Sequence, residues 1–314
     1  MAVQATGVAG APGVASPAGG AATDASTEAA APRTLPEPTW QELKANWATK
    51  LLRLGPAPRN GAPPVAPGGV RRVRYPSPVG ELPGWLVWPS SEGARVPVVV
   101  FAHADFTFDG KEMDAAVPFL QQRIAVFFPT WRGERDNPGS FEMFLGEVDD
   151  LAAAVQAAAL IPGADPSQIY VIGHGAGGQL AALLSLHDDV KVAGTASVGA
   201  LFRTEDLLYW RKVAPFDADD AVELRMRLLY PNLADMKLSH IAYVGEDDTT
   251  SGKAVHAFTA EGRRFGAPLR VVTVKGDETT SLRPALMQFI DAVKNADFPQ
   301  RGYAAASDPA SAEP

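Results

Sequence analysis

Residues 165–184, DPSQIYVIGHGAGGQLAALL, decide the fold of this chain. The continuous apolar run at 169–172 is typical of a buried strand, and the residues from Ala176 onward favour a helix. A turn of small residues, Gly173-His174-Gly175-Ala176-Gly177, joins the two elements. Small residues suit such a turn because strand and helix come close together there. The stretch therefore predicts a strand, a sharp turn and a helix.

Similar patterns of apolar residues occur on both sides of this stretch. Residues 70–75 and 81–88 favour an antiparallel pair of strands. Further buried strands are expected at 96–102, 124–128, 192–197, 241–244 and 269–274, and helices at 111–122, 141–160, 176–187, 252–265 and 282–294. This alternation predicts an α/β fold with a mostly parallel, doubly wound sheet of about eight strands.

Composition divides the chain around that domain, which we place at 69–295. Residues 1–39 and 296–314 consist mostly of small residues and proline, so we expect two disordered tails. Between them, 40–68 is interpreted as an N-terminal helix and linker, with Thr39 as the helix cap and an apolar stripe from Trp40 to Leu54. Residues 204–236 interrupt the rhythm and are interpreted as a small lid-like insertion near the carboxyl ends of the strands.

The totals exclude several classes of function. With 314 residues and 46% hydrophobic residues, the chain is long and apolar enough to form a sizeable core. A net charge of -8 argues against general binding of nucleic acid. The chain has no cysteine, which rules out disulfides and thiol chemistry. We see no transmembrane segment and no signal peptide, and the compartment stays open.

The turn at 173–177 has the spacing of the G-x-S-x-G nucleophile elbow, with Gly175 in the position of the serine. The residue there adopts a strained backbone, at a cost of about 1–3 kcal/mol for a residue other than glycine. Glycine relieves that strain, and it also removes the attacking hydroxyl. The alternative is a glycine-rich turn that binds phosphate, but its spacing departs from G-x-G-x-x-G.

Other motifs accompany the elbow in a consistent order. They are FAHAD at 101–105, RGE at 132–134, PGSF at 138–141, EVDD at 147–150, YVGEDD at 243–248 and VKGDE at 274–278. Together with the elbow, they resemble the prolyl-oligopeptidase-like and dienelactone-hydrolase-like branch of the α/β-hydrolases over about residues 70–295. The resemblance implies an α/β-hydrolase fold and an esterase or peptidase ancestry.

The resemblance also implies where a catalytic triad would lie. The family's serine falls on Gly175, and its acid falls on Asp248 or on Asp247. Its histidine position falls on Glu278, or on Thr279 if the loop is shifted by one residue. No histidine follows His256 in the chain. The nucleophile and the base are therefore both absent.

The family's oxyanion hole carries over as backbone N–H groups. One belongs to Ala176, and the other to Ala104 or Asp105. His103 and His174 flank the expected pocket, and we interpret His103 as structural and His174 as pointing away from the reacting centre. We expect the pocket to retain the capacity to bind a carbonyl or a carboxylate.

Charged residues near the site suggest further roles. Arg132 and Glu134 are interpreted as anchors of the loop after the fourth strand, with substrate contact as the alternative. Four acids, Asp247, Asp248, Asp277 and Glu278, fall on two neighbouring loops, and we expect like charges there to raise at least one pKa. The histidines lack metal-ligand spacing, so we expect no metal site and no cofactor.

Three hypotheses follow for function. The first is a catalytically impaired hydrolase relative that binds a small-molecule or peptide ligand in its old pocket. The second is an active hydrolase in which Glu278 activates a water molecule beside Gly175. The third is a non-enzymatic interaction domain.

Overall fold

The computed structural model describes residues 37–58, 64–65, 68–90, 93, 95–249 and 252–302. Within these, eight strands form one sheet in the order β1-β2-β4-β3-β5-β6-β7-β8. The strands are β1 Val70–Ser77, β2 Gly80–Val87, β3 Val96–Ala102, β4 Ala125–Pro129, β5 Ala164–His174, β6 Gly194–Val198, β7 His240–Gly245 and β8 Leu269–Val274. The strand β2 pairs antiparallel with β1 and β4, and all other pairs are parallel. The expected doubly wound sheet is confirmed.

Helices cover both faces of the sheet. They are α1 Trp40–Asn46, α2 Ala116–Gln121, α3 Gly146–Ala159, α4 Ala176–Leu184, α5 Thr204–Leu208, α6 Ala221–Met226, α7 Val255–Arg264 and α8 Leu282–Asn295. One face is buried with α3, α4 and α7, through side chains such as Val155, Leu183 and Phe258. The other face is buried with α2 and α8, through Phe119 and Phe289. Apolar strands covered on both faces therefore form the centre of the core.

The N-terminal helix is shorter than its apolar stripe predicts. Thr39 caps it as expected: its Oγ1 accepts the Glu42 amide at 3.2 Å, and the Glu42 carboxylate accepts the Thr39 amide at 2.7 Å. The helix ends at Asn46, because beyond it the Glu223 carboxylate accepts the backbone amide of Lys50 at 3.1 Å. The prediction that helical structure reaches Leu54 is wrong.

Two predicted helices begin later than expected. The amides of residues 142, 143 and 145 donate to the Glu147 carboxylate, and Met143 and Phe144 take positive φ angles, so α3 begins only at Gly146. The expected helix at 111–122 is split into a 3₁₀ segment at Lys111–Ala115 and α2. Pro118 lacks the N–H that would continue the helical ladder across the junction.

The segment between β6 and β7 contains α5, α6 and a 3₁₀ turn at Tyr230–Asp235, and it contains no strand among the described residues. The helix α1 packs on this segment. The Trp40 indole N–H donates to the Met226 carbonyl at 3.1 Å, and the Trp40 amide donates to the Asp235 carboxylate at 2.8 Å. The N-terminal helix and the insertion predicted at 204–236 therefore support each other.

The domain continues past its predicted end at residue 295. Phe298 is buried, and its ring stacks on that of Tyr170 at 5.5 Å between centroids. The prediction of a tail from residue 296 is wrong for this segment. The rest of that tail, 303–314, and most of the N-terminal tail, 1–36, lie outside the described residues.

We expect Trp40→Ala to destabilise the domain by about 3–5 kcal/mol, because it empties a buried site and leaves the Met226 carbonyl without its donor. Trp40 is 2% exposed. Urea unfolding followed by circular dichroism measures the change. Tyr209→Ala is the matched control, since Tyr209 is 80% exposed and its loss is expected to change stability by less than about 0.5 kcal/mol. Equal effects of the two variants would contradict the docked position of α1.

Candidate functional site

The turn after β5 has the geometry of a nucleophile elbow. Gly175 lies between β5 and α4 with φ 53° and ψ -117°, a conformation that strongly favours glycine. Its N–H donates to the Val198 carbonyl at 2.9 Å, which ties the elbow to the end of β6. Two residues further on, a Cβ at Gly177 would lie 2.1 Å from the Ala102 carbonyl oxygen. The close approach of strand and helix expected from the small residues is therefore present.

The backbone of the turn after β3 contacts the elbow directly. The Ala104 carbonyl oxygen accepts the Ala176 N–H at 2.8 Å, and the His103 carbonyl accepts the Gly177 N–H at 2.9 Å. A Cβ built on Gly175 would lie 3.0 Å from the same Ala104 oxygen. The turn after β3 therefore occupies the position next to residue 175.

Two of the backbone N–H groups expected to form the oxyanion hole, those of Ala176 and Ala104, donate to oxygen atoms of this chain. Ala176 donates to Ala104, and the Ala104 N–H donates to the Glu112 carboxylate at 2.8 Å. Asp105 is exposed and lines the space beside the elbow. An oxyanion hole stabilises charge through donors that are free to bind the reacting oxygen. In this structure, the Ala176 and Ala104 amides are already engaged.

Glu112 links the turn after β3 to His174. Its other carboxylate oxygen lies 3.0 Å from His174 Nδ1, and His174 Nε2 lies 3.3 Å from the backbone carbonyl of Glu278. Burial acts to lower the pKa of His174, but the bond to Glu112 and its negative charge outweigh burial, so the pKa is raised. The His174 ring is thus turned toward Glu112 and Glu278.

His103 lies on the other side of the turn, in an aromatic pocket. Its ring stacks on Trp131 at 5.4 Å and tilts against Phe108 at 5.4 Å. His103 Nε2 lies 3.3 Å from a Glu134 carboxylate oxygen, as an ion pair rather than an aligned hydrogen bond. Burial acts to lower the pKa of His103, but the charge of Glu134 contributes to raising it, with a net upward shift.

The loops that carry the expected acid and base are neighbours. The Asp247 amide donates to the Gly276 carbonyl at 3.0 Å, so the turn after β7 contacts the turn after β8. Asp248 is buried, whereas Asp247 and the side chain of Glu278 are exposed. Glu278 contacts His174 through its backbone carbonyl.

One acid on these loops, Asp277, does not behave as like charges alone would dictate. The pKa of Asp277 is lowered, because its carboxylate accepts hydrogen bonds from the backbone and side chain of Thr280 and from the backbone of Thr279. The expected raised pKa is therefore not found at Asp277. Among the described residues, no group of three or more His, Asp or Glu side chains is placed to hold a metal ion.

Aromatic side chains fill the space beside Ala176. The Phe106 ring packs against Phe141 at 4.9 Å, Phe144 at 5.7 Å and Trp210 at 5.1 Å. The cavity that Phe106, Phe141 and Phe144 line together with Ala176 has a volume of about 10 Å³. A single water molecule needs roughly that much space, so this cavity cannot accept an ester or a peptide.

A buried ionic network supports the same region. Arg132 binds both oxygens of Asp150 at 2.9 and 3.0 Å and Glu142 at 2.7 Å. The Glu134 carboxylate accepts the amides of Trp131 at 3.0 Å and Phe108 at 2.5 Å. These bonds confirm that Arg132 and Glu134 anchor the loop after β4.

Sequence reasoning missed that Glu147 is a buried acid, and that it lines the small cavity beside Ala176. Burial, together with the charge of Glu142, raises the pKa of Glu147 to about 7, against the downward effect of hydrogen bonds from backbone amides. The burial of such a carboxylate cannot be predicted from the sequence, because it depends on how the preceding loop folds around it.

Sequence reasoning also missed a buried polar group between β6 and β7. His240 Nε2 lies 2.9 Å from the Ser197 hydroxyl, and His240 Nδ1 lies 2.7 Å from the Thr195 hydroxyl. The Thr195 hydroxyl donates to the Ser239 carbonyl at 2.9 Å, so it accepts from Nδ1, and Ser197 donates to Nε2. Burial lowers the pKa of His240 to about 3. With side chains at most 1% exposed, Ser197 and His240 are core residues without access to a substrate.

We expect Glu147→Gln to change the pH dependence of stability. In the folded protein the raised pKa of Glu147 favours the neutral acid. The contribution of this group to the free energy of unfolding is therefore fully present below about pH 4.5, and it is lost as the pH rises through about 7. The stability of the Gln variant relative to the wild type is therefore expected to improve from pH 5 to pH 8, by up to about 3 kcal/mol.

Urea unfolding at the two pH values measures this difference. Glu246→Gln, at an exposed position, is the matched control and is expected to show no such change. If Glu147→Gln had the same effect at both pH values, Glu147 would not ionise in the range that its burial implies.

Comparison with known proteins bears on the fold. No family model matches the sequence, and no curated protein does. Solved structures do match. A puromycin-hydrolysing peptidase of Mycobacterium tuberculosis has a TM-score of 0.60 at 18% identity, over 73% of this chain and 39% of its own. The acylaminoacyl peptidase of Pyrococcus horikoshii has a TM-score of 0.58 at 18% identity, over 72% of this chain and 41% of its own.

A smaller enzyme matches over almost its whole length. The S-formylglutathione hydrolase of Staphylococcus aureus has a TM-score of 0.54 at 14% identity, over 72% of this chain and 98% of its own. The chain spans only about two fifths of the two peptidases. In the part of the chain described, no helix has the length and apolarity needed to cross a membrane. The strand order, the elbow after β5 and these neighbours show that the chain has the α/β-hydrolase fold.

Proposed function

We propose that this chain is a pseudohydrolase, an α/β-hydrolase-fold protein without hydrolytic activity. The observation that carries the proposal is the Ala104 carbonyl, which binds the Ala176 amide at 2.8 Å beside a glycine elbow. Attack on an ester requires a nucleophile at residue 175, a base and a free donor for the developing charge. Gly175 supplies no nucleophile, and the engaged Ala176 amide is no longer a free donor.

The missing base supports the same proposal. The position expected for histidine carries Glu278, whose side chain is exposed. His174 contacts this loop at the Glu278 carbonyl, and its Nδ1 contacts Glu112. Loss of a triad costs a factor of about 10⁴–10⁶ in rate even where the oxyanion hole survives.

The Ala176 amide at the elbow still binds a carbonyl oxygen, but that oxygen belongs to Ala104 of the same chain. An external carbonyl or carboxylate ligand would have to displace Ala104 and enter a space of about 10 Å³ between aromatic rings. The closed pocket therefore favours a role for the domain's outer surface over ligand binding at the elbow.

We expect no turnover of p-nitrophenyl acetate above a heat-denatured control, and no labelling by a fluorophosphonate probe. The double variant Gly175→Ser/Glu278→His is expected to remain inactive, because the new serine would lie against the Ala104 oxygen and the donor would still be engaged. Its stability is expected to fall by about 1–3 kcal/mol, because φ is positive at residue 175.

Gly175→Ala/Glu278→His is the matched control, since it adds the same strain without a hydroxyl. Turnover by the wild-type protein would overturn the proposal. Glu278→Gln would then show whether a water activated by Glu278 is responsible, because that variant would lose the activity. Turnover by the serine variant alone would show that Ala104 moves aside readily.

A further inference from the structure

The outer edge of the sheet carries a groove that the proposed loss of catalysis does not explain. The groove has a volume of about 470 Å³ and lies between β1 and the C-terminal half of α3. Val73 and Tyr75 line it from the strand, and Ala153, Ala157 and Leu160 line it from the helix. Leu160 is 83% exposed although it lines this groove, so a partner that fills the groove could cover it.

The strand that borders the groove has an open side. In the described structure, β1 is the first strand of the sheet and has a neighbour, β2, on one side only. The residues of β1 that face away from β2 therefore present backbone N–H and C=O groups in the spacing that another strand can bind. An open strand beside an apolar groove offers both main-chain hydrogen bonds and pockets for alternate side chains.

The two faces of β1 differ in chemistry. Val73 and Tyr75 pack toward the core on the α3 side. Arg72 lies over the Trp85 ring on the opposite side, at 5.7 Å. Because successive strand residues alternate between faces, Arg74 shares the side of Arg72. Arg72 and Arg74 are both exposed, so the side of β1 away from α3 is cationic. The groove on the α3 side is lined mainly by apolar side chains, and Arg71 and Arg74 also line it.

We propose that the β1 edge binds an extended peptide in which apolar and acidic residues alternate. The peptide adds a ninth strand next to β1. Its apolar side chains enter the groove and cover Leu160, and its acidic side chains lie beside Arg72 and Arg74. A chain with a net charge of -8 that places three arginines on one edge strand, at residues 71, 72 and 74, favours an acidic partner there.

A second copy of this chain fits the edge less well. Pairing β1 with another β1 brings arginines together on the same face, and like charges on neighbouring strands are unfavourable. Arginines on an open edge thus disfavour self-association while they leave an acidic strand free to bind. The partner is therefore a separate acidic segment.

The test uses the full chain and a fluorescent seven-residue peptide of alternating glutamate and valine with blocked termini. Fluorescence anisotropy measures its affinity, and we expect Leu160→Glu to weaken binding by about tenfold or more, because a leucine side chain is no longer covered. Leu54→Glu is the matched control at a leucine that is 79% exposed and does not line the groove. Equal loss in both variants, or no binding by the wild type, would overturn the proposal.

Charge reversal tests the cationic face. Arg72→Glu/Arg74→Glu is expected to lose the glutamate peptide and to gain an alternating lysine and valine peptide. Unchanged preference would overturn the proposed acidic partner. Circular dichroism of each variant establishes that it is folded, and the arginines are exposed, so their replacement leaves the core intact.

Backbone methylation tests the added strand itself. In a strand, alternate amides point to opposite edges, so only one alternating set can bind β1. Methylating one set is expected to abolish binding, and methylating the other set is expected to leave it within about threefold, a small change in free energy. Binding that survives both sets would show contact without strand addition. The oligomeric state of the free protein is measured by analytical ultracentrifugation. A dimer in the absence of peptide would favour self-association and overturn the proposal.

Discussion

The hydrogen bond from the Ala176 amide to the Ala104 carbonyl ties together the two turns that any chemistry on this fold would need. The first turn follows β3 and the second follows β5, and these strands are neighbours in the sheet. Because the carboxyl ends of parallel strands meet at one edge, the turns face each other whatever residues they contain. The bond closes the gap between them with main-chain atoms, which side-chain substitution alone cannot remove.

Backbone donors at such a place need a partner, since burying an N–H without one is costly. In this chain the partners are internal. The Ala104 oxygen satisfies Ala176, and the Glu112 carboxylate satisfies Ala104. Glu112 also contacts His174, so one side chain holds the turn after β3 and orients the histidine next to the elbow. The aromatic rings around Phe106 then take up the volume that remains.

The sequence was sufficient to predict the succession of strands along the chain and the longer helices between them, because buried parallel strands and their helices leave strong apolar periodicities. It was also sufficient to predict the elbow, because the spacing of Gly173, Gly175 and Gly177 reflects close approach of the backbone. It could not show that the Ala104 carbonyl turns inward, since a main-chain orientation leaves no mark on residue type. Tertiary contacts likewise decided where α1 ends: the Glu223 carboxylate takes the Lys50 amide that a longer helix would have used. The pKa of Glu147 and the Ser197–His240 contact depend on burial that no local pattern encodes.

The closed elbow also bears on how this domain could change over time. For the pseudohydrolase proposed above, a return to serine catalysis would need a serine at residue 175, a base near residue 278 and a withdrawn turn at Ala104. A serine at residue 175 adds backbone strain, and withdrawal of the turn at Ala104 leaves the Ala176 amide without its partner. Under that proposal, these changes lower the stability of the domain before any activity returns, so the Ala104–Ala176 bond makes such a reversal harder.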